Sequence, residues 1–169
     1  MRSLPVHVWR KLQIAVIQLD ERSSSREIFG VFVRWLRENH EHFDAEPFLT
    51  YGINDFSLVD ESLMPIEFSS FLLSDLNHVR KTILKYLPKD VEFIARFLRD
   101  TLESLITVEL DNQCPNCQSD GMRVFIGKQN GLLAWQCGVC GHSHYADGSK
   151  VREGLDFVSE KKLRELKVI

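Results

Sequence analysis

Four cysteines, Cys114, Cys117, Cys137 and Cys140, have the type and spacing for chemistry: two residues separate the members of each pair, and 19 residues separate the pairs. Two thiolate pairs joined across a hairpin-length insert close a tetrahedron of sulfur donors, the donor set of zinc at about 2.3 Å from each sulfur. Four thiolates fill the coordination shell and leave no position for a reactive water, so the expected role is structural, with one zinc per chain. A redox dithiol is the rival chemistry, and neither pair has the surrounding βαβ pattern that such a site uses.

The knuckles read Cys114-Pro115-Asn116-Cys117 and Cys137-Gly138-Val139-Cys140-Gly141. Between them, Met122 to Lys128 and Leu132 to Gln136 read as strands around Gln129-Asn130-Gly131, where Asn-Gly is a hairpin signal. Ser143 to Ala146 supplies a third strand. This stretch of about 35 residues resembles the zinc-ribbon family. The resemblance implies a small antiparallel sheet whose two knuckles hold one ion. Gln118 departs from the pattern, since ribbons often place glycine after the second cysteine. A segment this short falls below the roughly 40 residues at which chains fold without a metal or disulfide, so the ribbon is expected to need its ion.

Other polar groups suggest less. His40-x-His42-x-Asp44 could hold a second ion from an extended segment, although a polar loop is the plainer reading. His142 and His144 follow the last cysteine but are not needed as ligands. No nucleophile elbow, phosphate-cradling glycine loop or HExxH pair occurs, and the expectation is a protein that is not an enzyme.

The residues that must position these groups fall into helices before position 110. Trp9, Leu12, Val16 and Leu19 have helical spacing, with β-branched Ile14, Val16 and Ile17 leaving a strand open for part of the segment. Ile28, Val31, Phe32, Trp35 and Leu36 form a second stripe behind a Ser23–Ser25 cap. Phe68, Phe71, Leu72, Leu76, Val79, Ile83 and Leu87 predict a third helix stopped by Pro88. Val91, Ile94, Ala95, Leu98, Leu102, Leu105 and Ile106 predict a fourth, capped by Asp90. Ser159 caps a short last helix, with Val158 and Leu163 placed as a hydrophobic staple. The expected class is α+β: an N-terminal α-helical bundle over residues 1–110, a zinc ribbon over 111–147 and a C-terminal tail with helix over 148–169. Residues 40–65 form a long connection within the bundle.

The formal charge of −3 is an average over unlike segments. From Glu38 to Val79 there are nine acids and no Lys or Arg, while residues 1–37 carry +4 and residues 80–110 and 111–169 carry +1 each. The acidic connection is expected either to be a solvated face or to dock a basic protein through Glu41, Asp44, Glu46, Asp55, Asp60 and Glu61. Phe48 and Tyr51, with Phe43 and Phe56, would anchor such a partner if exposed, or pin the loop to the core if buried. In size and charge the chain is similar to bacterial immunity proteins and antitoxins, which shield a toxin's cationic site. The expected function is therefore an inhibitor or immunity-type protein that binds a basic partner such as a toxin.

The alternative is a zinc-ribbon regulator that binds nucleic acid through the ribbon, the tail and Arg26, Arg34 and Arg37. Against it, residues 111–147 carry −1 before any zinc binds and the tail only +2. Trp135 and Tyr145 are expected to pack on the hairpin faces. With no targeting signal and no apolar run of about 20 residues, a cytoplasmic location and no membrane partner are expected.

Overall fold

In the computed structural model, which describes residues 3–169, helices come first along the chain, an antiparallel sheet follows, and a short helix ends it, an α+β arrangement. The chain forms two compact units, Met1–Asp60 with Phe71–Leu105 and Glu61–Ser70 with Ile106–Ile169.

The first unit is helical. In α1 (Val6–Ile17) the apolar spacing prevails over β-branching: Val8, Trp9, Leu12 and Val16 are buried, whereas Ile14 is left half exposed. The Ser24 hydroxyl accepts the Glu27 N–H at 3.1 Å and starts α2 (Ser25–Glu38), which buries Ile28, Phe29, Phe32, Val33, Trp35 and Leu36. Trp35 Nε1 donates to the Val8 carbonyl at 2.8 Å, fastening the two helices together. A short α3 (Ile53–Ser57) follows, then α4 (Leu73–Thr82) and α5 (Val91–Ile106). Along α5, Val91, Ile94, Ala95, Leu98, Leu102 and Leu105 are fully buried. The Asp90 carbonyl accepts the Ile94 N–H at 2.9 Å.

The third helix is shorter than its apolar stripe predicts. Phe68 ends a separate 3-10 turn, Ile66–Phe68, and Ser69 is extended. The Asp75 carboxylate then accepts the Leu72 N–H at 2.7 Å and sets the start of α4. Beyond Thr82 the carbonyls that would continue the helix are taken by side chains of α1. Gln13 Nε2 donates to the Ile83 carbonyl at 2.9 Å and Trp9 Nε1 to the Tyr86 carbonyl at 2.8 Å. The Leu87 N–H turns to the Asp90 carboxylate at 2.8 Å. The backbone groups left open between Thr82 and Pro88 are thus met by tertiary hydrogen bonds.

The connection over residues 40–65 is folded chain, not open loop. It holds a 3-10 turn (His40–His42), a cis Glu46–Pro47 bond and α3. Phe43, Phe48, Ile53, Phe56 and Val59 point inward. Phe43 packs edge-on against Phe48 at 5.0 Å between ring centres and at a tilt against Trp35 at 5.1 Å.

The second unit is built on a five-stranded antiparallel sheet: β1 (Glu109–Gln113), β2 (Asp120–Gly127), β3 (Leu133–Cys137), β4 (Ser143–Tyr145) and β5 (Leu155–Asp156). The strands β2, β3 and β4 fall where the hairpin pattern predicts. Two strands carry no such pattern: β1 pairs the first half of β2 (Leu110 with Met122) and β5 the second half (Ile126 with Asp156). Val108, Val124, Val158 and Leu163 form a core beneath them. Leu163 is the one buried residue of the last helix, α6 (Glu160–Glu165), whose Ser159 cap accepts the Lys162 N–H at 3.2 Å. The Glu160 N–H donates to the Leu63 carbonyl at 2.9 Å, which ties residues 61–70 into this unit.

Candidate metal centre

Cys114 follows β1, Cys137 ends β3, and Cys117 and Cys140 close the two tight turns that come after them. The knuckles have the same hydrogen bonds. In the first, the Gln118 N–H donates to the Cys114 carbonyl at 2.8 Å and the Cys114 N–H to the Ser119 carbonyl at 2.9 Å. In the second, the Gly141 N–H donates to the Cys137 carbonyl at 3.0 Å and the Cys137 N–H to the His142 carbonyl at 2.8 Å. Each turn also aims an amide at its leading sulfur, with Asn116 N–H to Cys114 Sγ and Val139 N–H to Cys137 Sγ both at 3.4 Å.

This geometry requires a left-handed residue after the second cysteine of each knuckle. Gly141 takes it at φ 75°, and Gln118 takes it at φ 63° despite its Cβ.

The four sulfurs all lie within 4.8 Å of one another, with Cys114 to Cys140 and Cys117 to Cys137 at 3.6 Å. A tetrahedral ion about 2.3 Å from each sulfur needs sulfur separations of about 3.8 Å, so the cluster fits a metal ion. Cys114 and Cys137 are buried and Cys117 and Cys140 face solvent. Met122 and Trp135 pack against the inner pair. The Ser119 hydroxyl, 3.1 Å from the Cys117 sulfur, holds that thiol down at about 6, while burial pushes Cys137 up to about 11. The Asn116 amide, 3.5 Å from the Cys140 sulfur, lowers that thiol. The amides and hydroxyl stabilise thiolate on the exposed side, which suits a cation held by all four.

Among the described residues, no other group of three or more His, Cys, Asp or Glu side chains is close enough to hold an ion. His40-x-His42-x-Asp44 therefore does not form a second site. The segment lies in a 3-10 turn, where His40 and His42 sit by Glu41 at 3.7 and 3.5 Å and Asp44 takes the Asn54 amide. His144 stacks edge-on against Trp135 at 5.4 Å, and burial lowers its pKa. The Tyr145 hydroxyl donates to Glu153 at 3.1 Å and accepts from Asn130 at 3.0 Å, so both rings serve the sheet.

The acidic residues are distributed over both units. Glu41, Asp44, Glu46, Asp55 and Asp60 are exposed on the helical unit, whereas Glu61 belongs to the sheet unit and is half-buried. Glu46 accepts from the Thr50 hydroxyl at 2.6 Å. Phe48 is 3% exposed, so the ring expected to meet a partner is a core group. Half-buried Tyr51 is fixed to α5, its hydroxyl donating to Glu92 at 2.7 Å and its carbonyl accepting from Arg99 at 3.3 Å. The residues between the acids thus hold the connection in place, while Leu49, Leu58 and Leu63 are the large apolar side chains it exposes. No helix among the described residues is long and apolar enough to cross a membrane. Compared with protein-family models, curated proteins and solved structures, the chain matches none of them.

Proposed function

We propose that the protein is a non-catalytic, cytosolic binding module whose four cysteines hold one structural zinc, as in a zinc ribbon. On this reading its acidic connection docks a basic protein in the manner of an immunity protein against a toxin. The observation that carries the reading is the outward-facing set Glu41, Asp44, Glu46, Asp55 and Asp60 on a connection pinned by its own buried rings. A surface held rigid before contact loses little entropy on docking, and clustered carboxylates speed association with a cation.

The test is affinity capture of the neighbouring gene's product by the intact zinc-loaded protein. Capture by the wild type, with at least a tenfold loss of affinity on reversing Glu41, Asp44, Glu46, Asp55 and Asp60 to lysine, is the expected result. Equal capture by the reversed, folded variant removes the acidic-surface reading. Salt-sensitive binding of duplex or single-stranded nucleic acid without protein capture replaces it with the regulator reading.

A further inference from the structure

The corner between α4 and α5 is a second surface of opposite sign. No acid lies between Asp75 and Asp90, whereas Arg80, Lys81, Lys85 and Lys89 do, and with Asp90 and Glu92 counted the stretch from Arg80 to Phe93 carries +2. Arg80 donates to the Ile17 carbonyl at 3.1 Å, but Lys81, Lys85 and Lys89 are exposed and their side chains form no ion pair among the described residues. Lys128, Lys150 and Lys161 are exposed and unpaired among the described residues as well, so what sets the corner apart is the apolar surface between its lysines. On the same corner Leu84 is 57%, Leu87 55% and Phe93 56% exposed.

This exposure does not come from a frayed loop. The corner is held by the hydrogen bonds from Trp9 and Gln13 and to the Asp90 carboxylate described above, by the Leu4 N–H on the Pro88 carbonyl at 2.9 Å, and by Phe93 stacked face to face on Tyr86 at 5.8 Å. A rigid turn thus offers aliphatic side chains among unpaired lysines.

We propose that this corner is a peripheral docking site for an anionic phospholipid surface. Lysine ammonium groups are attracted to lipid phosphates, each by about fivefold in affinity, while apolar side chains of a turn bury in the headgroup and acyl boundary. Nucleic acid shares the phosphates, but a single strand adds base stacking on aromatic rings and a duplex binds through its phosphates without burying aliphatic groups, whereas here two of the three apolar groups are leucines. The expectation of no membrane partner rested on the lack of a spanning segment, which a peripheral site does not need.

The experiment is co-sedimentation of the full zinc-loaded chain with vesicles of phosphatidylcholine alone or mixed with phosphatidylglycerol. Binding to the mixed vesicles alone, released at about 0.5 M salt, supports the proposal. The K81E/K85E/K89E and L84S/L87S variants, each checked for native circular dichroism and metal content, then need at least tenfold more lipid. Wild-type protein that stays in the supernatant overturns the proposal, as does equal sedimentation of the variants. Retention on duplex DNA or polyglutamate with no vesicle binding also overturns it and assigns the corner to that other class. The basic-partner reading is scored separately, because these variants keep every residue of the acidic connection.

Discussion

Gln118 shows how one backbone angle can matter more than one side chain. The first knuckle needs φ near +60°, where an L residue is strained by about 1 to 2 kcal/mol, and its counterpart in the second knuckle is Gly141. Gln118→Gly is expected to stabilise the metal-loaded sheet unit by about 1 kcal/mol, because relief of strain exceeds the extra chain entropy of glycine. Denaturant unfolding followed by Trp135 fluorescence measures this. A loss of stability there means that the glutamine side chain has a role that the backbone angle does not reveal. The departure from the ribbon pattern was legible in the sequence, but its physical content, a strained αL residue, was not.

Among the elements, α6 is a short helix with a defined task. Its Ser159 cap and buried Leu163 place it against Val108, Val124 and Val158 under the sheet. Six residues cannot sustain a helix in water, so packing must hold it. Leu163→Ala is expected to cost about 3 kcal/mol and to free the C-terminal turn, seen as earlier trypsin cleavage at Lys161, Lys162 and Arg164. Unchanged cleavage kinetics contradict that role. The cap and staple could be read from Ser159, Val158 and Leu163 because they are local. The early end of α4 could not, since the carbonyls beyond it find their partners in Gln13 and Trp9, some 70 residues away.

At the level of the whole molecule, each unit has its own core, and the metal site belongs to the sheet unit. Chelation is therefore expected to unfold the sheet while the helical unit keeps its far-ultraviolet dichroism, with Trp135 emission shifting and that of Trp9 and Trp35 holding. Lower pH acts in the same direction. Protons compete with the ion for the thiolates, so metal affinity falls as pH falls, the buried Cys137 thiol, raised to about 11, being the costliest to deprotonate. A sheet that keeps its dichroism and Trp135 emission after full metal removal contradicts the structural role of the ion.

The cysteine spacing was enough to locate the site and its donor set, because a knuckle is made of consecutive residues and its geometry is local. Charge order along the chain likewise located the acidic connection. The facing of side chains was decided by the fold. Phe43, Phe48 and Phe56 turned inward, Leu84, Leu87 and Phe93 were left outside, β1 and β5 joined a sheet without any alternating pattern, and residues 61–70 joined that same unit. Burial and strand pairing depend on which distant surfaces are available to cover an apolar group or an open N–H, and no window of neighbouring residues contains that information.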